Sequence, residues 1–170
     1  MTRPPSSPLT GQGAVLRPVS GGGREPLTAL QAALAAEHAA VYGYGVVGAR
    51  VDDGRRAEAR EAFAAHRARR DTLIRAVRDL AAAPVAAAPG YALPFPVPDA
   101  ASAVRLAAHL EDRVAGACAD LVRAARGPLR TEAAAALREA AVRSARWRGG
   151  GVAFPGLAER SAATGPPAGE

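Results

Sequence analysis

The stretch PVAAAPGYALPFPVP, residues 84–98, decides the fold. Its five prolines forbid a helix, because each lacks the amide proton that an interior turn needs and clashes with the turn before it. A connection this long without regular structure is unusual inside a compact domain. Tyr91, Leu93, Phe95 and Val97 alternate along it with small residues and prolines, so it is expected to pack as an ordered crossover.

Helical patterns lie on both sides of this segment. Leu27, Leu30, Leu34, Glu37, Val41, Gly45 and Gly48 share one sector at ~100° per residue. They predict a first helix from about Pro26 to Arg50, stopped at Val-Asp-Asp-Gly. A second helix is expected from about Arg55 to Ala82, with Phe63, His66, Arg70, Leu73, Ile74, Val77 and Leu80 facing inward. Beyond the prolines, Asp99 can cap a third helix from about Ala100 to Arg126. Its inner residues are Ala103, Leu106, Leu110, Val114, Ala117 and Leu121. Gly127-Pro128 breaks the chain and opens a fourth helix, which is expected to bury Leu129, Ala133, Ala136, Leu137, Ala140, Ser144 and Trp147 before the glycines at 149–151.

Four helices with short first and third links and a long middle one have a specific meaning. A short link makes antiparallel neighbours, whereas a long one lets the chain travel the length of the bundle before the next helix starts. The expected fold is all-α: a ferritin-like four-helix bundle of two antiparallel hairpins joined by a long Pro-rich crossover. Residues 26–158 would form it, 1–25 would be a disordered Pro-, Gly- and Ser-rich arm, and 159–170 a flexible tail.

Composition agrees. The chain has 170 residues, enough for one domain with a real core. Its 49% hydrophobic content is mostly alanine, with only 4% aromatic residues, which favours close-packed helices over strands. All 22 basic residues are arginine, and the net charge is +6. The lone Cys118 excludes an intramolecular disulfide and fits a reducing compartment. No apolar run approaches the ~20 residues of a membrane span, and no signal peptide is visible, so a cytoplasmic protein that does not bind membranes is expected.

The runs LAAEHAAVYGYGVVGA, AHRARRD, YALPFPVPD, AVRSARWRG and FPGL together resemble an actinobacterial ferritin-like family of unknown function. The resemblance covers about residues 27–158. It implies the ferritin-like bundle and no established activity.

A di-iron centre in such a bundle takes one Glu from each of two helices and a Glu-x-x-His from each of the other two. Here the first helix offers Glu37, the second His66 and the third Glu111. Phe63 stands where the pair with His66 needs Glu, and the fourth helix has no histidine. Arg70, one turn after His66 on the expected inner stripe, opposes a divalent cation. The expected reading is therefore a non-enzymatic, self-associating or partner-binding bundle with an inner polar cluster of Glu37, His66, Arg70 and Glu111. In that cluster Arg70 pairs with Glu37, and no cofactor is required. The alternative is a metal-binding or metal-dependent oxidoreductase that holds iron or another divalent metal on Glu37, His66 and Glu111. His38 and His109 read as boundary or surface histidines, and Tyr42 and Tyr44 as residues with their hydroxyls in water. Weak nucleic-acid binding is a third reading, permitted by the basic charge. Without an aromatic platform or a known motif, nucleic acid is not expected as a partner. The alanine-rich core predicts a homodimer.

Overall fold

The computed structural model describes residues 24–150, as four helices joined by two short links and one long one. These are α1 Arg24–Arg50, α2 Asp53–Asp79, α3 Ala100–Ala124 and α4 Gly127–Arg148. Among the described residues there is no strand. The arm assigned to residues 1–25 lies outside them except for Arg24 and Glu25, which open α1, and residues 151–170 lie outside them too.

Local chemistry sets the helix ends. Asp99 and Ser102 form a reciprocal capping box at the start of α3: the Ser102 amide donates to Asp99 Oδ1 at 2.8 Å and the Asp99 amide to Ser102 Oγ at 3.1 Å. Pro128 sits in the first turn of α4, and Gly149 ends that helix in the left-handed conformation with φ 77°. α2 stops three residues before the expected Ala82. Ala81 turns left-handed at φ 56°, and the Ala82 amide closes back on the Val77 carbonyl.

The crossover travels along α1. Gln31 donates to the Ala83 carbonyl and accepts from the Val85 amide. Further on, Tyr42 meets Tyr91 with ring centroids 5.4 Å apart, and Arg50 donates to the Val97 and Pro98 carbonyls. The chain thus moves from the start of α1 to its end before α3 begins. α3 is consequently antiparallel to α1 and parallel to α2: Tyr44 and Val47 cluster with Ala59, Ala62 and Leu106, while Leu30 and Leu34 cluster with Leu73, Val77 and Leu121. α4 returns against α3, bringing Ala133 to the Leu30 end and Trp147 to the Tyr44 end.

α1 and α3 form the central contact, α2 packing on α1 and α4 on α3. Gly43 sets how close the central pair comes. A Cβ there would stand 2.6 Å and 2.8 Å from the two methyls of Leu110. Gly43→Val is expected to cost about 1–3 kcal/mol by overpacking. Adding Leu110→Ala should recover part of that loss in urea titrations, and an unrecovered loss would place the strain elsewhere.

The inner faces differ from the expected stripes in phase. On α1 the buried line is Leu30, Ala33, Leu34, Glu37, Ala40, Tyr44 and Val47, while Gly45 is exposed. On α2 it is Ala59, Ala62, His66, Leu73 and Val77, while Leu80 is 52% exposed. Steps of four residues repeated from His66 to Arg70 to Ile74 drift ~40° each around the helix. Alternating steps of four and three stay on the core, and they select Arg69.

Candidate functional site

Halfway along the bundle, four helices bring their charged side chains together. Glu37 comes from α1, His66 and Arg69 from α2, Glu111 from α3, and Glu139 and Arg143 from α4. Glu37, His66 and Glu111 are buried. His66 is the hub: its Nδ1 lies 2.7 Å from Glu37 Oε2 and its Nε2 3.1 Å from Glu111 Oε1. A carboxylate only accepts hydrogen bonds, so satisfying both contacts requires an N–H on each ring nitrogen. His66 is therefore an imidazolium donating at both ends. Burial by itself would lower its pKa, but the hydrogen bonds to Glu111 and Glu37 and the charges of both carboxylates raise it from 6.5 to about 9.

The carboxylates are held from several sides. Tyr44 donates to Glu111 Oε1 at 2.6 Å and accepts from Trp147 Nε1 at 2.9 Å, with its ring stacked on His66 at 5.0 Å. Burial and the neighbouring Glu111 charge push the Tyr44 hydroxyl far above its ordinary pKa, so it remains a proton donor. Arg69 Nη2 lies 2.5 Å from Glu139 Oε2, and its Nη1 is 3.7 Å from Glu37 Oε1. Arg143 reaches the same Glu139 oxygen at 3.4 Å and Glu111 Oε2 at 4.0 Å. Three carboxylates thus face three cations, and the cluster is neutral. Cys118 lies in the core beside it, its thiol pushed up to about 12 by burial first and by the Glu37 charge second. Such a thiol is a small apolar core residue rather than a nucleophile.

The structure brings Glu37, His66 and Glu111 into one contact set. Arg70 is not part of it: it bonds to its neighbour Asp71 and is partly exposed. The pairing expected between Glu37 and Arg70 is corrected by one residue, because the helical phase described above turns Arg69 inward. Tyr44, Glu139, Arg143 and Trp147 were not anticipated in the cluster. A 3.6-residue line drawn through Leu30, Glu37 and Tyr44 reaches the tyrosine; Arg143 and Glu139 lie at the edge of their helix and gave no apolar-stripe signal. Tyr42 is exposed as expected, whereas Tyr44 is buried, which corrects the reading of its hydroxyl as solvated. His38 sits at the boundary within 3.2 Å of the Val85 carbonyl, and His109 lies edge-on to Phe95.

The donor set does not fit a bound dication. A metal on His66 would have to displace one of the ring protons that Glu37 and Glu111 favour. Two guanidinia lie within 4.0 Å of the carboxylates that would be its oxygen ligands. Among the described residues, no group of three His, Cys, Asp or Glu side chains could hold a metal ion.

The fold and this network define an all-α four-helix bundle centred on a neutral, buried acid–base cluster. The chain belongs to the family described as a domain of unknown function (DUF4439), which matches residues 29–159. It is similar to the crystal structure of a conserved hypothetical protein, rv2844, from Mycobacterium tuberculosis. The two are 39% identical with a TM-score of 0.73, over 74% of this chain and 96% of that one. No curated protein matches the chain. No helix among the described residues is long and apolar enough to cross a membrane.

Proposed function

We propose that this protein is a non-enzymatic, cytoplasmic bundle of the ferritin-like class, self-associating or partner-binding, in which an ion-pair network takes the place of a metal centre. The observation that carries the reading is His66 bonded at both nitrogens to Glu37 and Glu111, with Arg69 and Arg143 closing the other side. Breaking a buried pair by removing one partner costs much more than the pair contributes in net stability, so such a network specifies how the helices meet.

Self-association is supported by the apolar side chains left in water. Tyr42 and Val85 are 42% and 39% exposed and lie on the side where the crossover runs along α1. A second copy covering them would add buried area to a core built largely of alanine.

One experiment tests both parts. Native mass spectrometry of the tag-free chain should give twice the 17.2 kDa chain mass without bound metal. Two irons per chain, lost on Glu37→Ala, would replace this reading with the metal-dependent oxidoreductase. A single-chain mass at micromolar concentration would remove the dimer.

A further inference from the structure

Four atoms of the network are buried and have no hydrogen-bond partner among the described side chains: Glu37 Oε1, Arg69 Nη1, Glu111 Oε2 and Arg143 Nη1. They are not scattered. Glu37 Oε1 faces Arg69 Nη1 across 3.7 Å, and Glu111 Oε2 faces Arg143 Nη1 across 4.0 Å. Both separations are too long for a charge-assisted hydrogen bond, which closes to about 2.7–2.9 Å. The two gaps flank one group, because the other terminal nitrogens of both arginines reach the same oxygen of Glu139. Each gap thus presents one acceptor and one donor, each from a different helix.

From this geometry we infer an internal hydration site at the bundle centre: one water in each gap, donating to the carboxylate and accepting from the guanidinium. The charge balance selects a neutral ligand. A cation would meet Arg69 and Arg143, an anion would meet Glu37 and Glu111, and the six groups already cancel. The spacing selects the size. Two atoms 3.7–4.0 Å apart can both lie about 2.8 Å from one oxygen, whereas a larger molecule would have to drive the helices apart. Two charged partners per gap meet the minimum that a buried water requires.

The route in is the seam between α2 and α4, whose backbones do not approach closely. The side chains along it are graded in exposure: Glu139 43%, Arg143 18%, Arg69 16%, then Glu37 at 1% and Glu111 at 0%. The waters complete a hydrogen-bonded chain from solvent at Glu139, through the guanidinia, to the carboxylates that hold His66. Without the waters, two carboxylates and two guanidinia would each keep one buried atom unsatisfied, which is the costly arrangement.

The two water sites do not depend on any partner of the bundle, and two measurements on the full-length protein test them. A high-resolution crystal structure should show one water within hydrogen-bond distance of both atoms of each gap. Direct contact between Glu37 and Arg69 with no intervening density would overturn it, and so would a metal ion in either gap. In solution, arginine-labelled protein should show magnetisation transfer from long-lived water to the Nη protons of Arg69 and Arg143. In the double variant Glu111→Leu with Arg143→Leu, which removes both walls of one gap, the Arg69 signal should persist at full intensity. Loss of both signals in that variant, or their absence in the parent protein, would refute two separate water sites.

Discussion

Glu111→Leu is expected to destabilise the protein by about 3–5 kcal/mol, a large share of the roughly 5–15 kcal/mol that holds a domain folded. Glu111 is 0% exposed and serves three groups at once: the Tyr44 hydroxyl, His66 Nε2 and, more distantly, Arg143. Leucine fills the volume but leaves an imidazolium with one partner and a buried hydroxyl with no acceptor. Glu111→Gln separates the two contributions. Its amide oxygen can still accept from Tyr44 while its charge is gone, so a loss of only about 1–2 kcal/mol is expected. Urea denaturation followed by helical circular dichroism measures both, and a Glu111→Leu loss below about 1 kcal/mol would show that the cluster is not coupled as described.

The same measurements distinguish Arg69 from Arg70. Arg70 bonds to Asp71 beside it and both are partly exposed, so Arg70→Leu should change stability by no more than about 1 kcal/mol. The pair Glu37 and Arg69 should be non-additive by about 1–3 kcal/mol in a double-mutant cycle, whereas Glu37 and Arg70 should add within ~0.5 kcal/mol.

This one-residue difference marks where the sequence stops being legible. The architecture was readable because it rests on coarse signals: proline density in residues 84–98, a capping Asp99, and Gly-Pro at 127–128. Glu37 and His66 were readable because a charged or polar residue on an apolar stripe stands out. Arg69 and Arg70 are adjacent arginines 100° apart, on a helix carrying eight arginines, and no composition argument separates them. Only the packing of Ala62 and Leu73 against the neighbouring helices fixes the rotation. The phase of Trp147 marks it as a core residue, but its indole N–H finds Tyr44 across two helices, a contact of residues 103 apart in sequence. α1 and α3 each contribute a buried acid, and α2 and α4 contribute the cations that answer it.

The protonation of His66 makes stability depend on pH in a direction opposite to acid denaturation. Its pKa is about 9 in the folded protein against 6.5 when the ring is free, so the folded state holds the proton more tightly. Below about pH 6.5 both states are protonated and the full contribution is present. Between 6.5 and about 9 the unfolded chain releases its proton while the folded one keeps it, so stability falls as pH rises, by up to ~1.4 kcal/mol per unit. Above about 9 the contribution of about 3 kcal/mol is gone. The charged groups that face the ring are Glu37 on α1, Glu111 on α3, Arg69 on α2, and Arg143 and Glu139 on α4. His109, whose pKa is lowered by burial and then by Arg113, titrates below the window. Cys118 extends the loss to higher pH, since its thiol is raised from 9.0 to about 12 and the unfolded chain ionises first. Urea midpoints measured across pH 6.5–9 should therefore decline for the parent protein and stay nearly level for His66→Gln, which has no proton to lose. The two curves should draw together toward pH 9, where the parent no longer benefits from its imidazolium. Equal slopes in parent and variant would assign the titration to another group, and a flat parent curve would mean that His66 is neutral between its two carboxylates.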